Sequence, residues 1–119
     1  MISVELLRGA DQILGEPVYA SAGVWPRAVA LLARQALETA MWEFWMARAP
    51  GVEWTSTSAQ LLCLPDYVRD REAAMNASLT WISLSRICHH HPYELLPTAA
   101  ELRLLIDSTA RILEALAAA

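Results

Sequence analysis

The sequence predicts an all-α protein, an up-and-down bundle of four to five helices. Apolar residues recur at helical spacing over most of the chain, and no segment alternates between apolar and polar residues as a strand does. Pro and Gly residues separate these segments at positions typical of helix ends. With 119 residues, the chain is long enough to bury a core and short enough to form one domain over residues 1–119.

The composition indicates self-association. Apolar residues make up 55% of the chain and include five Trp, more than a monomer of this size hides easily. We therefore expect a homodimer or a stable partner. Apolar runs stay short of the ~18 residues of a membrane span, and an acid, Glu5, stands where a signal peptide carries bases. These features predict a cytoplasmic protein with no membrane partner.

The charge restricts how the chain can bind nucleic acid. Its net charge is −4, and its nine basic residues are all Arg. Non-specific binding to phosphates requires a basic surface. Any contact with RNA must therefore be confined to a local cluster of Arg and His. Cys63 and Cys88 lie in apolar helical surroundings, and we expect buried free thiols rather than a disulfide.

The first half of the chain predicts two helices and then a short one. The first extends from Val4 to about Leu14, with Ser3 as its cap and Gly15 at its end. The second is the longest; it begins at Trp25–Pro26 and ends before Pro50. Residues 50–58 form a loop that exposes Trp54, and a short helix follows over 59–64.

The fourth helix, from about Tyr67 to His89, has two apolar faces. One carries Met75, Leu79 and Ile82, and the opposite one carries Ala77, Trp81, Leu84 and Cys88. One face suits the bundle and the other suits a second subunit. Arg86 continues the first face at the i+4 position from Ile82. An Arg on an apolar surface needs a partner.

Three other patterns concern individual residues. Thr98 and Glu101 match a capping box that begins the last helix. Arg34 and Glu38 are four residues apart on the second helix and predict a surface ion pair. The helical spacing of Trp42, Trp45 and Trp81 is typical of core or interface packing.

The residues with the greatest chemical potential lie at the end of the fourth helix, in the octapeptide Arg86–Tyr93. Pro92 disfavours helical geometry at the preceding residue, so the helix is expected to stop near His90. In a continuing helix His90, at i+4, would lie beside Arg86 and His91 would point away. Only a broken helix lets His91 turn back towards Arg86.

This pattern suits cleavage of a phosphodiester in RNA. A His of near-neutral pKa exchanges protons, and an Arg holds negative charge. His91 would move a proton at the ribose 2′-hydroxyl or the leaving oxygen, and Arg86 would stabilise charge on the phosphate. The ribose supplies the nucleophile, so neither a metal nor another cofactor is expected.

Two other interpretations of the histidines remain open. Imidazolium groups near a helix C-terminus interact favourably with the helix dipole, and the histidines may then be structural. Alternatively one or two of them could bind a metal with a distant acid, such as Glu94 or Glu38. Three adjacent histidines on a helix diverge by about 100°, which is unfavourable for a shared ion.

The arrangement resembles the HEPN domains of prokaryotes, helical bundles that are usually dimeric and have an Arg-x(4 to 6)-His motif at the end of a long helix. Arg86-x4-His91-x-Tyr93 is similar to the Arg-x4-His-x-Tyr motif of HEPN ribonuclease toxins that pair with minimal nucleotidyltransferase antitoxins. The resemblance implies that Arg86 and His91, and with them His90, form a catalytic site at a dimer cleft. It also implies that Tyr93 is the residue the antitoxin modifies with AMP.

The resemblance therefore predicts a metal-independent endoribonuclease of a toxin–antitoxin or defence system. Its partners would be a second copy, RNA and the nucleotidyltransferase antitoxin. The alternative is a non-catalytic, dimeric HEPN-like module that binds nucleic acid or protein. Ile87 favours this alternative, because family ribonucleases commonly have a polar residue, often Asn, directly after the Arg.

Overall fold

A computed structural model describes residues 2–15, 25–89 and 95–119, and in this part of the chain the structure is entirely helical. It contains five α-helices: α1 Ile2–Gly15, α2 Trp25–Arg48, α3 Thr57–Cys63, α4 Arg71–Cys88 and α5 Ala99–Ala118. Two 3₁₀ turns, Val52–Trp54 and Leu64–Asp66, flank α3. The prediction of an all-α fold is confirmed, and five is the number of α-helices over these ranges.

The other three long helices, α1, α4 and α5, pack around α2. Helix α5 also packs on α1 and α4, and α3 packs on α4. Alanines on α2 are buried where its neighbours cross it, and their small side chains allow a close approach of the helices: Ala30, Ala33, Ala36 and Ala40. The fold is therefore a bundle built about its longest helix.

The core consists of two clusters, one towards each end of the bundle. The Trp45 cluster combines the second half of α2 with the first half of α4 and the second half of α5; its large members include Leu37, Met41, Trp45 and Ile112. The Leu84 cluster combines the first half of α2 with the ends of α1 and α4 and the start of α5; its members include Leu14, Val29, Leu84 and Leu102. Successive long helices therefore run in alternating directions.

Two helices begin at other residues than the sequence pattern predicts. Helix α1 begins at Ile2, and Ser3 is a buried residue of its first turn rather than its cap. Helix α4 begins at Arg71 and not near Tyr67, because the carboxylate of Asp70 accepts a hydrogen bond of 3.1 Å from the backbone N–H of Ala73. Residues 64–66 form a separate 3₁₀ turn.

Asp70 also joins α4 to α5. Its carboxylate lies 3.3 Å from the guanidinium of Arg111. The hydrogen bond from Ala73 lowers the pKa of Asp70, and although desolvation opposes this effect, the interaction with Arg111 lowers the pKa further. The first turn of α4 is thus held by a cap and by an ion pair.

The predicted start of α5 and end of α2 are confirmed, whereas the short helix α3 begins at Thr57 rather than at residue 59. Thr98 caps α5, and its hydroxyl accepts a hydrogen bond of 3.1 Å from the backbone N–H of Glu101. Helix α2 ends before Pro50, where Gly51 has a φ of 109° that a residue with a Cβ rarely adopts. Ser56 caps the short helix α3.

The expected burial holds for some side chains and fails for others. Trp45 is fully buried, and Trp54 is 77% exposed, with its ring in a T-shaped contact with that of Trp42. The prediction that both thiols are buried is wrong for Cys63, which is exposed on the outer face of α3; Cys88 is half-buried.

The helices differ from membrane spans in length or in polarity. Within residues 2–15, 25–89 and 95–119, each helix is too short or too polar to cross a bilayer.

Candidate functional site

The candidate site lies at the C-terminal end of α4, whose two apolar faces have different surroundings. Ala77 and Leu84 face the bundle and are fully buried. Met75, Leu79 and Ile82 face outwards and are 63%, 65% and 43% exposed. We call these three residues the outer ridge. The two faces predicted from the sequence are confirmed, and the described residues leave the outer ridge uncovered.

Arg86 is exposed at the end of the outer ridge. Among the described residues, no hydrogen bond or ion pair joins its guanidinium to a neighbour. The side chain reaches water instead of lying in apolar surroundings, and a partner for Arg86 stays a prediction. Its charge is accessible to an anion from solution.

Helix α4 ends at Cys88, one to two residues before the position predicted from Pro92. His89 is the C-cap, and its backbone N–H donates to the carbonyl of Ser85 at 3.1 Å. The imidazole of His89 is exposed. His90, His91 and Tyr93 lie outside the described residues, so their placement relative to Arg86 stays a prediction.

Two clefts meet at Arg86. The smaller, of about 370 Å³, is the Trp81 cleft, and the described residues that line it are Trp81, Ile82, Ser85, Arg86 and His89. The larger, of about 850 Å³, is the Leu95 cleft; it lies between α4, residues 95–98 and the first turns of α5, and its lining includes Arg86, Ile87, Leu95, Leu96, Glu101 and Leu104. Arg86 therefore borders both depressions.

The Trp81 cleft is unusual in its polar groups. The indole N–H of Trp81 and the hydroxyl of Ser85 are buried and have no hydrogen-bond partner. Most buried polar groups in proteins do have one. Asp and Glu are absent from the described lining, although the chain has 13 acidic residues and a net charge of −4. The cleft thus offers donors and a positive charge, which suits an oxyanion.

Arg34 on α2 supports the cleft from behind. Its Nε donates to Glu38 at 2.7 Å, which confirms the ion pair predicted from their spacing. Its guanidinium carbon also lies 5.8 Å from the centroid of the Trp81 ring. Partial burial alone would lower the pKa of Arg34, but the hydrogen bond and charge of Glu38 raise it. Arg34 is therefore a fixed cation behind the cleft.

Cys88 lies beside the same pair. Burial raises the pKa of its thiol, and the nearby guanidinium of Arg34 only partly opposes this effect. A thiol of this kind is protonated at neutral pH and is a poor nucleophile. Cys88 therefore contributes packing here, as the sequence analysis assumed.

The sequence motif points to Arg86 but not to Trp81 and Ser85, which form the wall beside it. Trp81 was interpreted as packing only, and Ser85 was overlooked. Trp81, Ser85 and His89 are spaced by four residues and lie along one side of α4, next to the row that contains Ile82 and Arg86. That spacing was visible in the sequence, but the missing hydrogen-bond partners were not.

In the described part of the chain, three or more His, Cys, Asp or Glu side chains do not come together in a group that could hold a metal ion. The histidine triplet extends beyond these residues, so the metal interpretation is tested only in part.

Comparison of the chain with protein-family models, with curated proteins and with solved structures gave no match. The assignment of a function therefore depends on the geometry around Arg86 and on the motif it begins.

Proposed function

We propose that the protein is a metal-independent endoribonuclease of HEPN type, a component of a toxin–antitoxin or defence system. One observation carries the proposal: Arg86 presents an exposed guanidinium, without an ion pair to a described residue, at the rim of a cleft with hydrogen-bond donors and no described carboxylate. In a chain with a net charge of −4, this local positive charge would attract the phosphate of an RNA to the Trp81 cleft.

The proposed reaction uses the 2′-hydroxyl of the RNA as nucleophile. His91 accepts the proton of that hydroxyl, the 2′-oxygen forms a bond to phosphorus, and the bond from phosphorus to the 5′-oxygen breaks. A second imidazole, from His90 or from the partner subunit, gives a proton to the leaving 5′-oxygen. Arg86 stabilises the negative charge on the non-bridging oxygens. The products are a 2′,3′-cyclic phosphate and a 5′-hydroxyl.

The proposal includes a homodimer that forms through the outer ridge. Met75, Leu79 and Ile82 are large apolar side chains in a row on one helix, and nothing in the described part of this chain covers them. A two-fold axis along this row, which makes the two α4 helices parallel, would bring the Arg86 residues of both subunits to one cleft. Each active site would then be composite, as the resemblance to HEPN ribonucleases implies.

Regulation is proposed to act on Tyr93. By its position in the Arg-x4-His-x-Tyr motif, Tyr93 would receive AMP from a nucleotidyltransferase antitoxin. An AMP group two residues from His91 adds bulk and negative charge at the entry of RNA. The modified protein would bind RNA weakly and be inactive.

A second candidate function is a non-catalytic HEPN-like module that binds RNA or protein as a dimer. Ile87 favours it: its side chain is half-buried in the wall of the Leu95 cleft, where family ribonucleases commonly have a polar residue next to the Arg. In this case the clefts beside Arg86 would bind a phosphate without cleaving it.

The decisive experiment incubates purified protein with a mixed pool of cellular RNA in EDTA and maps new fragment ends. The wild type should produce cyclic-phosphate or 3′-phosphate ends, whereas Arg86→Ala and His91→Ala should lose at least about 100-fold in rate, as expected for a lost acid–base or charge-stabilising group. Because Arg86 is exposed and unpaired with described residues, Arg86→Ala should keep the wild-type unfolding midpoint.

Arg69→Ala is the matched control, since Arg69 is also an exposed Arg but precedes the opposite end of α4. It should cleave RNA at the wild-type rate. Cleavage that is absent, or equal in all variants, rejects the catalytic proposal. If Arg86→Ala then also weakens RNA binding, the non-catalytic module is the correct function.

A further inference from the structure

A separate cavity lies at the other end of the bundle from Arg86. It has a volume of about 500 Å³ and is enclosed by the start of α1, the second half of α2 and the second half of α5. Arg86 belongs to the end that contains the Leu84 cluster, whereas this cavity adjoins the Trp45 cluster. A ligand here would not occupy the proposed active site.

The walls of the cavity suit a hydrocarbon. They include the apolar side chains Leu7, Phe44, Leu113 and Leu116, and small alanines leave the space between them. Ligand cavities commonly have volumes of about 300–1,000 Å³, are mostly apolar and contain a few polar groups. The cavity has both the size and the lining of such a site.

Ser3 supplies one of those polar groups. It lines the cavity and is only 1% exposed, yet its hydroxyl has no hydrogen-bond partner. Burying a hydroxyl without a partner is unfavourable. A rotation about χ1 would direct this hydroxyl towards a bound molecule. The orphaned group is explained if its partner comes from a ligand.

The charges at the mouth select the kind of ligand. Glu43 and Glu114 are exposed on the rim, on α2 and α5, and neither is in an ion pair among the described residues. Arg48 is the cation of the rim, but it is engaged elsewhere: its guanidinium lies 5.7 Å from the Phe44 ring and donates to the carbonyl of Tyr67 at 3.5 Å. The uncompensated charge at the mouth is negative.

We propose that this cavity binds an amphipathic amine, with its hydrocarbon chain among Leu7, Phe44 and Leu113 and its ammonium group between Glu43 and Glu114. The ammonium donates to these two carboxylates and to the hydroxyl oxygen of Ser3. The hydrophobic effect supplies most of the affinity, and the carboxylates supply the preference for a cation.

The test compares three probes with one chain length: decylamine, decanol and decanoate. Binding to the full-length protein is measured by calorimetry at neutral pH. Decylamine should bind most tightly and decanoate most weakly. The double variant Glu43→Gln/Glu114→Gln should lower the affinity for decylamine about fivefold, as expected for exposed ion pairs, and leave that for decanol unchanged. Ser3→Ala should weaken decylamine and decanol alike.

Two neighbouring alanines provide a matched control for the position. Ala117 and Ala118 are both exposed in the last turn of α5, but only Ala117 lines the cavity. Ala117→Leu should reduce the binding of every probe, and Ala118→Leu should not. Ala47→Leu, which fills the cavity from the C-terminal end of α2, is a second blocking variant.

Three results would overturn the proposal. They are equal binding of decanoate and decylamine, unchanged binding in the blocking variants, and conversion of a dimer to a monomer by Ala47→Leu in sedimentation. The last result would show that a second copy occupies the cavity. RNA cleavage by the same samples reports on the proposed ribonuclease separately, because no residue of this cavity belongs to the Trp81 cleft or the Leu95 cleft.

Discussion

The guanidinium of Arg34 lies over the indole ring of Trp81, 5.8 Å from its centroid, while its Nε is held by Glu38. This contact joins the middle of α2 to the last two turns of α4, where Arg86 lies. An Arg over a Trp ring contributes about 0.5–1 kcal/mol at an exposed site and more where it is desolvated. The wall of the Trp81 cleft is thus supported by a contact that a short motif does not reveal.

The unpaired donors of the Trp81 cleft lead to the first prediction. Ser85→Ala and Trp81→Phe each remove a buried donor that has no partner, so neither should lower the free energy of unfolding by the usual amount for a lost hydrogen bond. Each should instead weaken RNA binding by roughly two- to tenfold, the equivalent of one hydrogen bond. Filter binding to a single-stranded RNA and urea denaturation would measure the two effects.

Ser78→Ala is the control for this prediction, because Ser78 is a half-buried Ser on the same helix that lines neither cleft. Its RNA affinity should match that of the wild type. Equal affinity of Ser85→Ala and wild type would mean that the cleft does not hold the phosphate.

The outer ridge leads to a prediction about assembly. Leu79 is 65% exposed, so Leu79→Asp should leave the monomer folded, but a buried carboxylate would prevent two copies from packing along α4. Sedimentation at micromolar concentration should show a dimer for the wild type and a monomer for the variant, with the same circular dichroism.

Leu62 provides the comparison, since it is 81% exposed on α3 and does not belong to the ridge. Leu62→Asp should remain dimeric. A monomeric wild type, or a dimer that survives Leu79→Asp, would exclude the outer ridge as the subunit interface.

Asp70 leads to a prediction about acid stability. Folding lowers the pKa of Asp70, so the folded state holds the ionised carboxylate more strongly than the unfolded state does. This contribution is complete above the ordinary Asp pKa of about 3.9 and disappears as the pH falls through the lowered value. Asp70→Asn keeps an oxygen for the cap but removes the charge. The wild type should therefore be the more stable protein at pH 6, and the difference should shrink as the pH falls below the ordinary Asp pKa and through the lowered one.

Urea denaturation between pH 2 and 7 would follow that difference, and added salt at pH 6 should reduce it because Arg111 and Asp70 are exposed. A difference that stays constant across this pH range would show that the charge of Asp70 does not contribute.

The two thiols should differ in reactivity. Cys63 is exposed, whereas Cys88 is half-buried and its pKa is raised by burial. In a disulfide-exchange assay at pH 8, one thiol should react rapidly and the other slowly. Cys63→Ser should remove the fast phase and Cys88→Ala the slow one. If both thiols react at one rate in the folded protein, Cys88 is more accessible than the structure places it.

The fold was largely predictable because local chemistry fixes most of it. Thr98 and Glu101 identify the start of α5, and Pro50 and Gly51 end α2, as the structure confirms. The start of α4 was predicted near Tyr67 but lies at Arg71, because the carboxylate of Asp70 caps the helix and also pairs with Arg111 on α5. Periodicity also identified the two faces of α4.

The site was predictable only in part, because motif spacing says nothing about exposure. The spacing correctly placed Arg86 at the end of the outer ridge but did not show that its side chain reaches water. Cys63 was misassigned for the same reason: apolar neighbours in sequence do not bury a residue on the outer side of a short helix. The Trp81 cleft depends on Arg34, 47 residues away, which no local pattern includes.

The length of α2 has a consequence for the way the bundle opens. Its first half belongs to the Leu84 cluster and its second half to the Trp45 cluster, so neither cluster can come apart without releasing part of the same helix. Amide hydrogens near Ala36 and Leu37, at the junction of the two, should therefore exchange with solvent only through global unfolding. The amide hydrogens of α3 and its flanking turns lie outside the four long helices. They should exchange through local openings, which require less free energy than global unfolding. The two ends of this protein are chemically distinct but unfold as one cooperative unit.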